Sequence, residues 1–349
     1  EMTVPVFRFA PSPNGPLQRY VKNSWELTTR ADIKAAIMNY GPVATNMYYD
    51  DPYYNAGSYA YYCPTNFTTN HGIALVGWND SMNISGHIGA WIVKNSWGTS
   101  WGASGYFYLA YDDAASLDNV AIFTDIVPPN TYSTIYQYDP LGMVGSMGWG
   151  GPTGYAANRF YPTANEEIVA VSFYAKVPNT SYQISVYDTF SGMTFSSLLG
   201  TKSGTLTYAG YNSVELTTPI PITAGNDFSV VVRFTCPGDT YPVPMEYPVG
   251  GYSSTATASS GQSYISYDGS MYQDMTSSYT NSNVCIKALA KLAGSEGEGE
   301  GEGEGETTPC NVMEACPDFN SEGTLLYGSF GWLWSAEDAD GIGITDSWE

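Results

Sequence analysis

Two short motifs near the N-terminus place the strongest constraint on the fold of this chain. Asn70-His71-Gly72 opens an apolar segment, and the run from Asn95 to Gly102, Asn-Ser-Trp-Gly-Thr-Ser-Trp-Gly, follows another one. If both segments are strands that pair antiparallel, their ends lie side by side, and the Asn95 amide can hydrogen-bond the His71 ring. Trp97 could then cover that bond and exclude water, which would strengthen it. The motifs therefore predict a sheet whose rim carries an oriented histidine.

The segments around these motifs predict one domain over residues 1–125. Thr28 to Asp32 supplies an N-terminal cap for a short amphipathic helix that includes Ile33 and Ile37, and Gly41-Pro42 ends that helix. A polar loop is expected at 79–87. Strands are expected at 43–49, 72–78, 90–94 and 106–111. A helix followed by antiparallel strands indicates an α+β half-barrel domain.

Beyond Val127-Pro128-Pro129-Asn130 the sequence changes to short strands separated by turn residues. Examples of turns are Pro178-Asn179 and Asp268-Gly269. The predicted strands include 168–176, 182–188, 213–216 and 228–234. This rhythm, without helical periodicity, is typical of an all-β sandwich, which we expect over residues 126–293.

The last part of the chain is different again. Glu and Gly alternate over 295–306, so an acidic linker is predicted at 294–306, because this composition cannot form a core and its charges repel. Residues 307–349 contain Trp332 and Trp334 and are expected to begin a further, truncated module. Glu1 is interpreted as a start within a domain.

The charge of the chain is concentrated in this last part. The net charge is -22, yet fourteen acidic residues and no Lys or Arg lie from Glu296 onward. Residues 1–295 carry twenty acidic against twelve basic residues. Neither nucleic acid nor an anionic membrane is therefore an expected partner. No apolar run approaches the roughly 18 residues of a membrane span.

The sequence contains five cysteines and two histidines, which are its candidate metal ligands and cross-links. Cys236 with Cys285, and Cys310 with Cys316, could form disulfides in an exported protein, which would leave Cys63 over. His87 lies in the predicted polar loop and is expected to be solvated, as are Asp112-Asp113 at a strand end. No Cys or carboxylate stands at ligand spacing from the histidines, so neither a metal nor another cofactor is predicted.

The order and spacing of Gly41-Pro42-Val43, Asn70-His71-Gly72 and the segment 93–106 resemble the papain-like (C1) cysteine peptidases, over roughly residues 25–112. The resemblance implies that His71 is the general acid/base, Asn95 its orienting partner and Trp97 the shield of that pair. It further implies three substrate-binding roles: a backbone contact from Asn70, a leaving-group wall from Trp101, and a polar floor of the specificity pocket from Asn46.

The family reaction is hydrolysis of a peptide bond, in which a Cys thiolate attacks the carbonyl and the histidine protonates the leaving amine. The nucleophilic Cys of this family lies about 130–150 residues before the His, which places it upstream of Glu1. Cys63 lies in a Tyr-rich loop without a helix N-terminus beside it, so a disulfide or a buried thiol is favoured over a nucleophile. Residues 1–125 are thus expected to be the C-terminal part of a catalytic domain, inactive alone.

Residues from about 130 to 292 resemble the lectin-like β domain that follows C1 domains in some secreted bacterial and archaeal proteins, on strand rhythm and on segment 219–225. Its tyrosines could stack on sugar rings or simply fill the sandwich. The sequence therefore predicts an extracellular or cell-surface cysteine endopeptidase that acts on protein or peptide, with a glycan as second partner. The alternative is a non-catalytic secreted adhesin or carbohydrate-binding protein with a degenerate peptidase domain.

Overall fold

The computed structural model describes residues 19–294, which divide into two compact units. The N-terminal unit comprises residues 26–124, and the C-terminal unit comprises residues 19–25 and 125–294. The elements follow in this order: β1 (Tyr20–Glu26), α1 (Arg30–Tyr40), β2 (Val43–Met47), β3 (Tyr54–Asn55), β4 (Ala60–Tyr61), β5 (His71–Ile84), β6 (His87–Lys94), β7 (Tyr106–Ala110), β8 (Ser116–Val127), β9 (Thr134–Tyr136), β10 (Gly145–Met147), β11 (Thr153–Phe160), β12 (Glu166–Ala175), β13 (Thr180–Ser191), β14 (Thr194–Leu206), β15 (Ala209–Ile222), β16 (Phe228–Thr235), β17 (Val243–Glu246), β18 (Ser263–Ser266), β19 (Gln273–Asp274), β20 (Asn283–Val284) and β21 (Ile286–Leu292). The predicted linker and final module lie outside the described residues.

In the N-terminal unit one helix packs on a sheet of order β3-β4-β7-β6-β5-β2-β8. The Thr29 hydroxyl caps α1 by accepting from the Asp32 N–H at 3.1 Å, and the helix ends where Gly41 adopts a φ of 108°. Ile33 and Ile37 of this helix are buried, and the helix packs against β2 and β5. The predicted helix and its cap are confirmed.

Strand β5 is longer than predicted. The prediction of a polar loop at 79–87 was wrong, because Asn79 still pairs with Ala90 and Ile84 still pairs with His87. The chain reverses only at Ser85-Gly86, where both residues have positive φ. The other expected strands of this unit are present within a few residues of their predicted bounds.

Large apolar side chains fill the core between these strands. Leu75 of β5, Trp91 of β6 and Phe107 of β7 are essentially inaccessible to solvent. Burial of such side chains stabilises the fold by about 1.5–3 kcal/mol each. The β5–β6 pair is therefore held rigidly, so that the start of β5 and the end of β6 lie at one edge of the sheet.

The C-terminal unit is built mainly of strands, as predicted, with one short 3-10 helix at Met275–Ser277. The strands form sheets of order β1-β15-β12-β21-β9, β10-β17-β20 and β14-β13-β16-β11-β18-β19. One core joins the first and last of these sheets, since Phe173 of β12 lies 5.5 Å from Phe234 of β16 at an angle of 80°. The strands run longer than the sequence indicated; β15 spans 14 residues where four were expected.

The predicted disulfide between Cys236 and Cys285 is wrong, because both are free buried thiols. Cys236 belongs to the main core and lies beside Thr180, whereas Cys285 packs with Met143 and Tyr174 in a separate cluster. Burial in the two different apolar surroundings explains their pKa values, which are both raised. Cys310 and Cys316 lie outside the described residues.

Candidate active site

His71 and Asn95 are brought together at the edge of the N-terminal sheet. His71 is the first residue of β5 and Asn95 directly follows β6. The His71 Nε2 atom lies 2.9 Å from the Asn95 Oδ1 atom, so the hydrogen bond expected from the motifs is present. Since an amide oxygen only accepts, Nε2 donates, and the neutral ring carries its basic lone pair on Nδ1.

The Asn95 side chain is itself fixed in place. Its Oδ1 atom also accepts from the Ser96 N–H at 2.8 Å, and the Asn95 N–H donates to the Gly105 carbonyl at 2.9 Å. Only 7% of the residue is exposed. The acceptor that orients His71 is therefore held by the backbone on both sides.

Trp97 covers the pair. Its ring stacks on the His71 ring at 4.6 Å between centroids and an angle of 28°. Trp97 is 38% exposed, so one face lies on the imidazole and the other part meets solvent. The contact reduces the access of water to the His71–Asn95 bond, and a lower local dielectric strengthens such a bond.

A glycine-dependent turn carries Trp97 and Trp101 to this position. The Gly105 N–H donates to the Trp101 carbonyl at 2.7 Å, which folds the segment back on itself. Gly102 has a φ of 58°, and a Cβ atom there would lie 2.5 Å from the Tyr106 carbonyl oxygen. Glycine is therefore required at this point of the motif.

Tyr49 completes the aromatic wall beside the histidine, and the sequence reasoning missed it. Its ring meets Trp97 edge-on at 4.6 Å and lies 6.2 Å from the His71 ring. Asn70 holds it, since Asn70 Oδ1 accepts from the Tyr49 N–H at 2.7 Å and Asn70 Nδ2 donates to the Tyr49 carbonyl at 3.1 Å. The only signal was a Tyr-rich stretch without periodicity.

Trp101 belongs to this aromatic wall, and Asn46 lies on the adjacent strand β2. Trp101 stacks on Tyr54 at 4.8 Å and meets Trp97 edge-on at 5.0 Å. Asn46 is on β2 opposite Gly72, one position from the Met47–His71 pair, and is 8% exposed. Its Oδ1 atom has no hydrogen-bond partner among the residues that the structure describes.

Cys63 is a buried structural thiol, one of the two alternatives that the sequence left open. It is inaccessible, its thiol donates to the Thr65 carbonyl at 3.2 Å, and its N–H donates to Asp113 Oδ2 at 2.6 Å. The prediction that Asp113 is solvated was wrong, because the carboxylate turns inward to accept from Cys63 and from the Ala115 N–H. Burial raises the pKa of Asp113.

His87, the second histidine of the chain, makes its contacts with Asp112 and Tyr62. It is partly exposed, its Nδ1 atom lies 2.5 Å from Asp112 Oδ2, and its ring stacks on Tyr62 at 3.7 Å. Within residues 19–294, no three His, Cys, Asp or Glu side chains converge as a metal site would need. The same residues contain no helix of the length and apolarity that a membrane crossing requires.

Comparison with family models identifies two regions of the chain. Residues 15–125 match the papain family of cysteine proteases, and residues 135–290 match the lectin-like domain. Among solved structures, clostridial cysteine protease Cwp84 after propeptide cleavage is similar with a TM-score of 0.69 and 25% identity, over 80% of this chain and 73% of that chain. The protease and lectin-like domains of Cwp84, a surface-layer-associated protein of Clostridium difficile, match with a TM-score of 0.67 and 25% identity, over 80% of this chain and 65% of that one.

The curated relatives match over about a third of this chain or less. Cathepsin B-like cysteine proteinase 3 of Caenorhabditis elegans is 25% identical over 35% of this chain and 33% of its own length. Gamete and mating-type specific protein A of Dictyostelium discoideum is 35% identical over 30% of this chain and 21% of its own length. The chain thus spans a third or less of these two relatives. Residues 15–125 are thus a papain-family cysteine protease region, and residues 135–290 are a lectin-like domain.

Proposed function

We propose that the N-terminal unit carries the acid/base half of a Cys-His-Asn active site, and that the complete protein is a cysteine endopeptidase acting on proteins or peptides. The observation that carries this proposal is the 2.9 Å contact between His71 Nε2 and Asn95 Oδ1 beneath Trp97. A histidine without a hydrogen-bond acceptor beside it would be free to rotate and to change tautomer. Here the acceptor selects the ring in which Nδ1 is the base.

The proposed reaction begins with a Cys thiol whose proton has passed to His71 Nδ1. The thiolate attacks the peptide carbonyl carbon, and the imidazolium Nδ1–H then protonates the leaving amine as the C–N bond breaks. In the second half, Nδ1 takes a proton from water, which attacks the thioester and releases the thiol. Asn95 Oδ1 stabilises the imidazolium in both halves by accepting from Nε2–H.

The nucleophile is proposed to come from a helix start encoded about 65–75 residues before Glu1, by the spacing of the family. The three described cysteines, Cys63, Cys236 and Cys285, are all buried, which makes them unsuitable for attack on a substrate. In this proposal residues 1–125 are the half-barrel part of the peptidase domain. Residues 126–293 are the sandwich, 294–306 the linker and 307–349 a further module.

Three residues are proposed to bind substrate. The Asn70 side chain is occupied with Tyr49, which supports a substrate contact through its backbone. Trp101 would line the leaving-group side together with Trp97. The Oδ1 atom of Asn46, buried and without a described partner, would accept a hydrogen bond from a polar substrate side chain.

Extracellular or cell-surface activity is proposed because Cwp84 is a surface-layer-associated protein. The alternative of a non-catalytic adhesin with a degenerate peptidase region is not favoured. A degenerate site would have no reason to keep His71, Asn95 and Trp97 in this mutual geometry.

Alkylation of cysteines at mildly acidic pH tests the proposal. The protein from the intact gene is treated with iodoacetamide at pH 5, where only a thiolate paired with an imidazolium reacts fast. One cysteine upstream of Glu1 should be labelled, and H71A should abolish the fast phase. Fast labelling of Cys63, or a Ser or Gly at the expected upstream position, would remove the basis for the enzyme.

A further inference from the structure

A lysine and two carboxyl groups are buried together inside the C-terminal unit. Lys287 Nζ lies 2.7 Å from Asp139 Oδ2, with 10% of the lysine side chain and none of the aspartate side chain exposed. Glu246 is also inaccessible to solvent, and the charges of Lys287 and Asp139 both act on its carboxyl group. We call Asp139, Glu246 and Lys287 the lysine cluster.

The lysine amine is aimed at the aspartate carboxyl. Two of its N–H groups are directed to other acceptors, since Lys287 Nζ lies 2.7 Å from Gln137 Oε1 and 2.9 Å from the Asp139 carbonyl oxygen. The third N–H donates to Asp139 Oδ2 at 2.7 Å. If that proton leaves, the lone pair that replaces it points at the carboxyl group, which is the arrangement needed for nucleophilic attack.

Each carboxyl group of the cluster keeps one oxygen atom without a partner. Glu246 Oε1 accepts from the Leu141 N–H at 2.5 Å, whereas Glu246 Oε2 and Asp139 Oδ1 have no hydrogen-bond partner in the part of the chain that the structure describes. Burial raises the pKa of Glu246 to about 7, so this carboxyl takes up a proton readily near neutral pH. A protonated Glu246 supplies the donor that a buried carboxylate oxygen needs.

The neighbours of the cluster are buried and uncharged. Tyr211 and Cys285 act electrostatically on Lys287, and both pack with Tyr174 in one apolar cluster. Burial raises the pKa of each of these three neighbours, so they are neutral at neutral pH. In such surroundings separate charges are costly, because water does not solvate them.

The ion pair is the resting state of the cluster. Burial lowers the pKa of Lys287, but the Asp139 carboxylate outweighs burial and leaves this pKa raised. Burial raises the pKa of Asp139. Transfer of one proton from Nζ to the carboxyl removes both charges at once and leaves an amine beside a carboxylic acid, the two groups from which an amide forms.

We propose that Lys287 and Asp139 become joined by an isopeptide bond, which the folded chain forms by itself. The Lys287 proton passes to the Asp139 carboxyl, and the neutral Nζ atom attacks the Asp139 Cγ atom. Glu246 donates a proton to the oxygen that leaves and takes one from Nζ. The Nζ–Cγ bond forms as a Cγ–O bond breaks, and one water molecule is released without any oxidant or reductant.

Confinement favours this reaction, and its product would staple the unit. Groups held in reactive contact behave as if present at about 10⁵–10⁸ M. The bond would join positions 148 residues apart, and all three described cysteines are free thiols, so it would take the place of a disulfide. Chains that have not reacted keep the ion pair. The proposal goes beyond peptide hydrolysis and rests on no part of it.

Mass spectrometry of the purified 349-residue chain tests the proposal. The intact chain is expected to be lighter than its sequence by one water molecule. Trypsin should no longer cleave after Lys287, and the tryptic peptides that contain Asp139 and Lys287 should appear as one branched species. Lys176 and Asp239 supply the internal control, because they lie 2.9 Å apart but Asp239 keeps contact with solvent. That pair should remain without a covalent bond.

Two variants separate the isopeptide bond from other losses of water. K287M removes the amine and should restore the full sequence mass, whereas a succinimide at Asp268-Gly269 would lose the same water and would persist in K287M. E246Q keeps the ion pair and an acceptor for the Leu141 N–H, so it should remain folded, which thermal unfolding checks. E246Q should slow the reaction about a hundredfold or more, as loss of a proton-transfer group does.

A branched peptide in the parent chain that forms much more slowly in folded E246Q supports the proposal. The proposal is overturned if the folded parent chain keeps its full sequence mass, if the missing water maps to other residues, or if E246Q reacts as fast as the parent chain. Peptide hydrolysis is not measured in any of these experiments, so a failure here is distinguishable from a failure of the peptidase proposal.

Discussion

The histidine site and the open groove of the C-terminal unit are assembled over very different distances along the chain. His71 and Asn95 are separated by 24 residues and lie at the ends of two neighbouring strands. The groove combines residues 146–148, four residues from Tyr241 to Pro248, and residues 279–282, which approach only when β10, β17 and β20 form a sheet. A site within one strand pair can be predicted from spacing, whereas a site that needs the whole topology cannot.

The two units also contain ion pairs that differ in their burial. Lys34 and Asp80 of the N-terminal unit form an ion pair at its surface, where such pairs contribute little. In the C-terminal unit Lys287 pairs with Asp139 at 2.7 Å across 148 residues, and Asp139 is inaccessible. The buried Lys287–Asp139 pair therefore makes the stability of the C-terminal unit depend on pH.

The largest effect is expected from removing the histidine. In the complete peptidase, H71A should lower kcat/KM by about three orders of magnitude, because both proton transfers are lost. Peptide hydrolysis under reducing conditions measures it. H87A is the control, since His87 contacts Asp112 and Tyr62 instead, and it should retain activity within about twofold. Equal losses in both variants would remove the distinction between the two histidines.

A smaller loss is expected from removing the orienting amide. N95A should lower kcat about a hundredfold with little change in KM, because the His71 ring loses the acceptor that fixes its tautomer. Asn79 of β5 is exposed and serves as control. An N95A loss that appears entirely in KM would indicate a substrate-binding role instead.

The third prediction concerns the pH dependence of stability in the C-terminal unit. Burial raises the pKa of Glu246 to about 7, although the Leu141 N–H donates to it at 2.5 Å. A raised folded-state pKa stabilises the fold at pH below about 4.5, and this contribution is lost as pH rises to about 7. Between these pH values the parent chain should lose roughly 2–3 kcal/mol relative to E246Q, by urea unfolding.

Glu166 supplies the opposite case. Burial raises its pKa, but the hydroxyls of Thr134, Tyr136 and Ser133 donate to the carboxylate and leave the pKa below its ordinary value. Its contribution is present above the unfolded-state pKa and is lost as pH falls. The E166Q variant should therefore be destabilised at neutral pH and approach the parent chain in acid. Parallel pH profiles for E246Q and E166Q would contradict this account.

The smallest effect is expected at Cys63. C63S keeps a donor for the Thr65 carbonyl, so kcat/KM of the complete peptidase should change by less than about twofold. The free energy of unfolding should fall by about 1 kcal/mol, since a hydroxyl is less apolar than a thiol. Complete loss of activity in a folded C63S protein would mean that Cys63 is the nucleophile.

The sequence was sufficient for features that a local motif marks. The cap of α1 at Thr29 follows from the adjacent residues. The bond between His71 and Asn95 follows from two motifs at the ends of paired strands, although the two residues are 24 positions apart. Tyr49 was missed because no motif marks the hydrogen bonds that join it to Asn70, 21 residues away. The burial of the Asp113 carboxylate was also missed, because no motif marks its bond to Cys63, 50 residues away.

The most direct test of the account is a double-mutant cycle on the complete peptidase. His71 and Asn95 act as one unit in this account, so N95A should have no further effect once His71 is absent. The measurement is kcat/KM of H71A, N95A and the double variant, in proteins with matched thermal unfolding. We predict that the double variant equals H71A within about twofold. A further hundredfold loss, as for independent residues, would contradict the claim that they form one catalytic unit.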